Sequence, residues 1–201
     1  MRTRTFLIAF AAVWILCGLV PSMAAEKGDK QVSFGILYSS PTDDLVDAGQ
    51  TTELDSAVGV QFAFEFLVTD RIGIEPALSS AGYDLSIVET GFPTENGDTD
   101  LLAATVRVNF HFVKESGLDL SVGPLAGYAF WDDIELDGFP TPVKTDDEAL
   151  FGVNFGLDYP CGGSRWSFKF DLDYLFVEIT PPGAAIGVDP IQATVGAAFN
   201  F

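Results

Sequence analysis

The residues able to do chemistry are few in kind and regular in spacing. Histidine occurs once, as His111, and cysteine twice, as Cys17 and Cys161. No Cys/His metal set can be assembled from these, and neither a metal nor a cofactor is expected. Charged and polar groups instead recur two residues apart: Arg107, Asn109 and His111 in one stretch, Lys169, Asp171 and Asp173 in another, with Glu65 and Glu75 in like phase elsewhere. A spacing of two places side chains on one face of a strand. Gathered inside a closed structure, such groups must neutralise one another, because a buried charge needs a partner. Glu65, Glu75, Arg107, His111, Lys169, Asp171 and Asp173 are therefore expected to form a charge-paired plug. His111, the one candidate base, reads as a structural partner of Glu65 or Glu75 rather than as a catalytic group, and no enzyme activity is expected. A second acidic population comes in runs, Asp132-Asp133 and Asp146-Asp147-Glu148. Carboxylate oxygens gather hard cations, yet EF-hand spacing is absent and a solvated acidic rim is the plainer reading.

The elements that must position these groups are strands. In Asp55–Val68 the set Val58, Val60, Phe62, Phe64, Phe66, Val68 alternates with Gly59, Gln61, Ala63, Glu65 and Leu67. Leu101–Val113 and Trp166–Val177 alternate in the same way, and Gln31–Ser40, Ile72–Ser80, Leu118–Phe130, Ala149–Tyr159 and Ile191–Phe201 follow with less contrast. That makes eight strands, an even number, with connections that alternate between short and long. Short turns on one rim and long loops on the other mark an outer-membrane β-barrel. The expected fold is all-β: an eight-stranded antiparallel up-and-down transmembrane β-barrel. Pro76 and Pro124 fall inside strands, where local bulges or unpaired positions are expected.

Composition agrees with that reading. The 201 residues suit a single domain; the formal net charge is −19, yet 48% of residues are hydrophobic and 18 are Phe. Nucleic acid is excluded as a partner by the acidic balance. Met1–Arg4 is a short basic start, Phe6 to Val20 is nearly all apolar, and small residues follow Pro21. These are the parts of a secretory signal peptide, expected over residues 1–25 with the barrel over 26–201, and they imply export through the Sec pathway. Nearly all the net negative charge lies in the four long connections, Pro41–Asp55, Ala81–Asp100, Trp131–Glu148 and Glu178–Pro190.

Which face carries the bulk decides the solvent. A soluble barrel packs large apolar residues inward; here the opposite face carries Gln61, Glu65, Arg107, Asn109 and His111. Phe, Leu and Val then face lipid. Sorted by distance from the short turns, the inward set is polar near that rim and aliphatic further out. Leu37, Leu101, Leu125, Leu150, Leu175 and Val177 are expected to line an apolar cup open to the loops. The last residues, with Gly196, Phe199 and Phe201, resemble the signal read by the outer-membrane assembly machinery.

Several motifs resemble the outer-membrane protein W (OmpW) family of eight-stranded barrels. They are Phe66-Leu67-Val68-Thr69-Asp70-Arg71-Ile72-Gly73-Ile74-Glu75, Gly156-Leu157-Asp158-Tyr159-Pro160 followed by Arg165-Trp166, Asp171 to Tyr174, and Asp189-Pro190 opening the closing strand. The similarity spans most of Val32 to Phe201. It implies a narrow barrel of the Gram-negative outer membrane that binds or passively passes small hydrophobic molecules, releasing them sideways into the bilayer. The alternative is a structural or surface-interaction barrel with a filled interior, whose acidic loops engage divalent cations or lipopolysaccharide. The expected partners are outer-membrane lipid and lipopolysaccharide, the assembly machinery and a small hydrophobic ligand.

Overall fold

The computed structural model describes residues 28–42, 45–47, 50–89, 94–113, 117–162, 164–179 and 186–201. The leader expected over residues 1–25 lies outside these. Within them the strands are, in chain order, β1 Lys30–Ser40, β2 Leu45–Asp47, β3 Gln50–Leu54, β4 Ala57–Thr69, β5 Ile72–Glu89, β6 Glu95–Val113, β7 Asp119–Trp131, β8 Glu135–Leu136, β9 Glu148–Pro160, β10 Trp166–Phe176, β11 Glu178–Ile179, β12 Ile186–Gly187 and β13 Ile191–Asn200.

Eight of them close a ring in the order β1, β4, β5, β6, β7, β9, β10, β13, each antiparallel to the next. The seam between β13 and β1 runs from Gln31↔Asn200 to Ser40↔Ile191. At its centre Gly35 lies opposite Gly196, and a Cβ on Gly196 would collide with the Phe34 carbonyl. Glycine there lets two tightly curved strands approach. Closure leaves no ring strand with an unpaired edge.

The alternation sorts the side chains by solvent. Phe34, Val58, Val60, Phe62, Phe110, Phe151 and Phe176 point outward and are exposed, Val58 at 66%, while Ala63, Leu150 and Ala198 on the inner face are fully buried. Large apolar residues outside and small, polar or charged ones inside is the pattern that lipid demands of a barrel wall. The chain ends of the barrel lie beside the short turns: Lys30 and Phe201 exchange backbone hydrogen bonds, and the Asn200 N–H donates to the Arg165 carbonyl.

The long connections differ from the sequence expectation. The third and fourth barrel strands were expected to end at Ser80 and begin at Leu101, but the β5–β6 ladder continues to Ile87↔Glu95. β3 pairs with β5, β2 with β3, and β8 with β6, so a sheet in the order β2, β3, β5, β6, β8 continues the wall beyond the lipid belt. The contrast between faces fades here because the outer face meets water, so the alternation in bulk that marks the lipid-facing strands is lost. Two interruptions fall where Pro was noted. The β4–β5 ladder has a gap between Ala63↔Ala77 and Phe66↔Ile74, beside Pro76, across which the register is kept; the register shifts only between Leu67 and Thr69. The β6–β7 ladder has a like gap between Arg107↔Leu125 and Phe110↔Val122, beside Pro124, and its register shifts only between His111 and Val113. Proline lacks the N–H that a ladder needs.

Candidate functional site

The inner face has two tiers. In the tier nearer the short turns, β4 supplies Gln61 and Glu65, β5 Glu75, β6 Arg107, Asn109 and His111, β9 Asn154, and β10 Lys169, Asp171 and Asp173. All are buried, Glu75 at 0% and Arg107 at 2% exposure. Arg107 Nη1 donates to Glu75 Oε1 at 2.5 Å; its Nη2 donates to Gln61 Oε1 at 2.9 Å and also to Asp173. The Lys169 ammonium donates to the second Glu75 oxygen, and Asp171 lies 3.7 Å from Arg107 and 4.0 Å from Lys169. Asn154 Nδ2 donates to the free oxygen of Asp173 at 2.7 Å. Towards the short-turn rim, Asn109 Nδ2 donates to Glu65 at 2.8 Å, and the two nitrogens of His111 stand 3.0 Å from Glu65 and from Asp119.

Every plug residue expected from the sequence is thus placed in one connected network. Asp119, Gln61, Asn109 and Asn154 join it, and Asp119 lies on a strand where no acid had been singled out. Charged groups held in this way persist away from water because each has several partners. The network crosses the interior between strands on opposite sides of the ring and closes the axial route at this level. His111 is engaged at both nitrogens by carboxylates, so the structure gives it the position of a tie between β4, β6 and β7.

Above the plug, Leu37, Leu101, Leu125, Leu150, Leu175 and Val177 pack with Ala57, Ala81, Ala103 and Ala129 in one apolar cluster. The cup was expected to open to the loops, and the structure corrects this: Tyr83, Trp131, Ile179 and Val188 close it and are themselves buried in the cluster. Tyr83 and Trp131 lie beyond the expected strand ends. Continuing the period of two from Ala81 and Ala129 would have found them. Ile179 and Val188 belong to the segment after β10, which folds inward. β11 and β12 pair only with each other. Val188 N–H donates to the Val177 carbonyl at 3.0 Å, and Thr42 N–H and Oγ1 donate to the carbonyls of Val188 and Asp189 at 3.3 and 2.8 Å. Asp189 adopts a φ of 35°, in the left-handed region that Asp tolerates better than most residues, and its carboxylate accepts the Val177 N–H at 3.2 Å. The Trp131 indole donates to the Glu178 carbonyl at 3.1 Å. Together these form a lid over the apolar tier.

At the closing strand, Gly196 backs the seam, Phe199 packs edge-on to Trp166 at 5.1 Å and stacks on Phe201 at 6.2 Å. Phe201 is exposed at the short-turn rim. Among the described residues there is no cluster of His, Cys, Asp and Glu arranged to hold a metal ion.

Ring closure, an outward apolar belt and a polar interior define a β-barrel that crosses a lipid bilayer. The chain belongs to the family described as outer membrane protein beta-barrel domain, whose model matches residues 8–201, which places it in the bacterial outer membrane. Among solved structures, the outer membrane protein OprG from Pseudomonas aeruginosa is similar with a TM-score of 0.76 at 17% identity, over 89% of this chain and 98% of that one. AlkL, determined in lipid bilayers, follows at TM-score 0.62 and 19% identity, over 90% and 93%. Neisserial surface protein A gives 0.52 at 11% identity, over 86% and 94%. OprG and AlkL are OmpW-like eight-stranded barrels, so the resemblance read from the sequence agrees with the fold. A comparison with curated proteins found no match.

Proposed function

We propose that the barrel takes small hydrophobic molecules from the cell exterior into its apolar tier and releases them sideways into the bilayer. The observation that carries this reading is the division of the interior. An aliphatic tier lies under a lid whose short strands β11 and β12 continue the β10–β13 hairpin, and a sealed charged plug lies beneath it. A solute entering past the lid finds a favourable apolar lining and no axial way onward. Entry requires the lid to move and the leucines to repack.

A second reading, a barrel whose interior stays permanently filled, is favoured by the burial of all six lining residues, with Leu150 at 0% and Val177 at 3%. The two are separated by the rate at which the apolar dye N-phenyl-1-naphthylamine enters cells bearing the wild-type protein, Leu125→Glu or Leu150→Glu. On the transport reading a buried carboxylate in the apolar tier slows entry severalfold while the protein still shows the heat-dependent gel shift of a folded barrel. Unchanged entry supports the filled barrel. The assembly machinery is the partner proposed for the closing strand, and the leader over residues 1–25 is proposed to direct export. Phe201 is exposed, so Phe201→Ala should lower the amount of protein assembled in the membrane more than it lowers the unfolding midpoint of the molecules that do assemble.

A further inference from the structure

The strand register creates a gap in the packing of the plug. Across four neighbouring strands one inward row reads Gln61, Gly35, Gly196, Lys169, so two positions without side chains lie between two long polar ones. Neither glycine position can take a filler. A Cβ on Gly35 would come within 2.6 Å of the Thr194 methyl carbon, and one on Gly196 would collide with the Phe34 carbonyl. Over the pair lies a cavity of about 10 Å³, room for roughly one water-sized atom. Thr194 and its register partner Asp171 line it from the next row, and Ser33 from the other side.

Two features of this lining point to an occupant. Thr194 Oγ1 has no hydrogen-bond partner among the described residues, and the residue is 4% exposed. A buried hydroxyl left unpaired is costly. Asp171 is the acid that the neighbouring cations serve least. Glu75 accepts from both Arg107 and Lys169, and Asp173 from Arg107 and Asn154. Asp171, 3% exposed, stands 3.7 and 4.0 Å from the same two cations, and Gln61 Nε2 donates to it at 3.4 Å. Around Arg107 and Lys169 three carboxylates thus share two cations, and the cavity lies beside the one with the longest contacts.

We infer that this cavity is a binding site for a single water molecule, held by Thr194 and Asp171, which completes the plug and ties it to the β1–β13 seam. The lining selects among occupants of this size. A metal cation would sit against the Lys169 ammonium and a halide against the Asp171 carboxylate, each pair of like charges away from bulk water. Water is neutral; it donates to the carboxylate and accepts from the Thr194 hydroxyl. That gives it the two or more polar partners a buried water needs. The site lies within the charged plug, so the inference is independent of solute passage and holds for a filled barrel and a transporting one alike.

The test is a crystal structure of the barrel purified from outer membranes, at a resolution that shows ordered water. The crystals are grown with rubidium bromide, so that anomalous scattering tells either ion from water. One fully occupied peak is expected within about 3.2 Å of both Thr194 Oγ1 and an Asp171 oxygen, with no anomalous signal. Thr194→Val, which keeps the shape and removes the hydroxyl, should lose the peak, and Thr194→Ser should keep it. No peak there in a map that resolves other ordered water overturns the inference. So does an anomalous signal in the cavity, a Thr194 hydroxyl bonded instead to a protein group, or an undiminished peak in Thr194→Val. The wild-type map decides the matter even where a variant fails to fold.

Discussion

At the residue scale, Arg107 is the cation on which Glu75, Asp171 and Asp173 converge, with Gln61 as a neutral fourth partner. Its removal leaves buried carboxylates facing one another with only Lys169 to answer them. Breaking a buried ion pair from one side costs about 3–5 kcal/mol, so Arg107→Met should shift urea unfolding of the vesicle-inserted barrel by that order. Adding Asp173→Asn to it should recover part of the loss; a single variant as stable as wild type would contradict the part assigned to Arg107. These residues were legible beforehand because spacing of two fixes the face on which a side chain lies. Partner choice was not legible. Which acid meets His111 depends on strand stagger around the ring, and the answer includes Asp119, on β7.

At the scale of elements, the lid is the separable part. Ile179 and Val188 are its apolar anchors, both buried against the cluster. Replacing both with serine removes most of the hydrophobic hold on the segment after β10, and burying an aliphatic side chain contributes roughly 1.5–3 kcal/mol. The expected outcome is an open chamber in an intact ring: Trp131 emission moves to the red and N-phenyl-1-naphthylamine enters faster, while the folded gel mobility is retained. Emission that does not move would show that Tyr83 and Trp131 close the tier without help. The sequence placed the eight ring strands but stopped β5, β6 and β7 short, and so missed Tyr83 and Trp131. The lid escaped for the same reason: Ile179 continues the period of two from Leu175 and Val177, and Val188 continues it from Gln192 and Pro190, beyond the ends set for those strands.

At the scale of the whole molecule, the bases are as unevenly placed as the acids. Lys30, Arg71 and Arg165 are exposed at the short-turn rim, whereas Lys144 is the base that the four long connections carry. The orientation expected for an outer-membrane barrel puts the long connections outside. Trypsin added to intact cells should therefore cut after Lys144 alone, and permeabilised cells should add cleavage at the short-turn rim; cutting at Arg71 in intact cells would invert the molecule. This asymmetry was readable from the sequence once the period of two had set the face and the alternation of connection lengths had set the rims. The filled chamber was not readable, since identical inward leucines can line a void or occupy it.

The seam between β1 and β13 has a kinetic meaning. Gln31 must meet Asn200 and Ser40 must meet Ile191, so the contacts that complete the ring join the first strand to the last and cannot form while either is missing. Such high contact order makes folding slow. Until β13 arrives, β1 and β10 each present a greasy strand with an open edge, the form most exposed to aggregation. The chain must therefore be kept from collapsing until its last residues are delivered, and a truncation of a few residues at Phe201 is a lesion in timing before it is a lesion in stability.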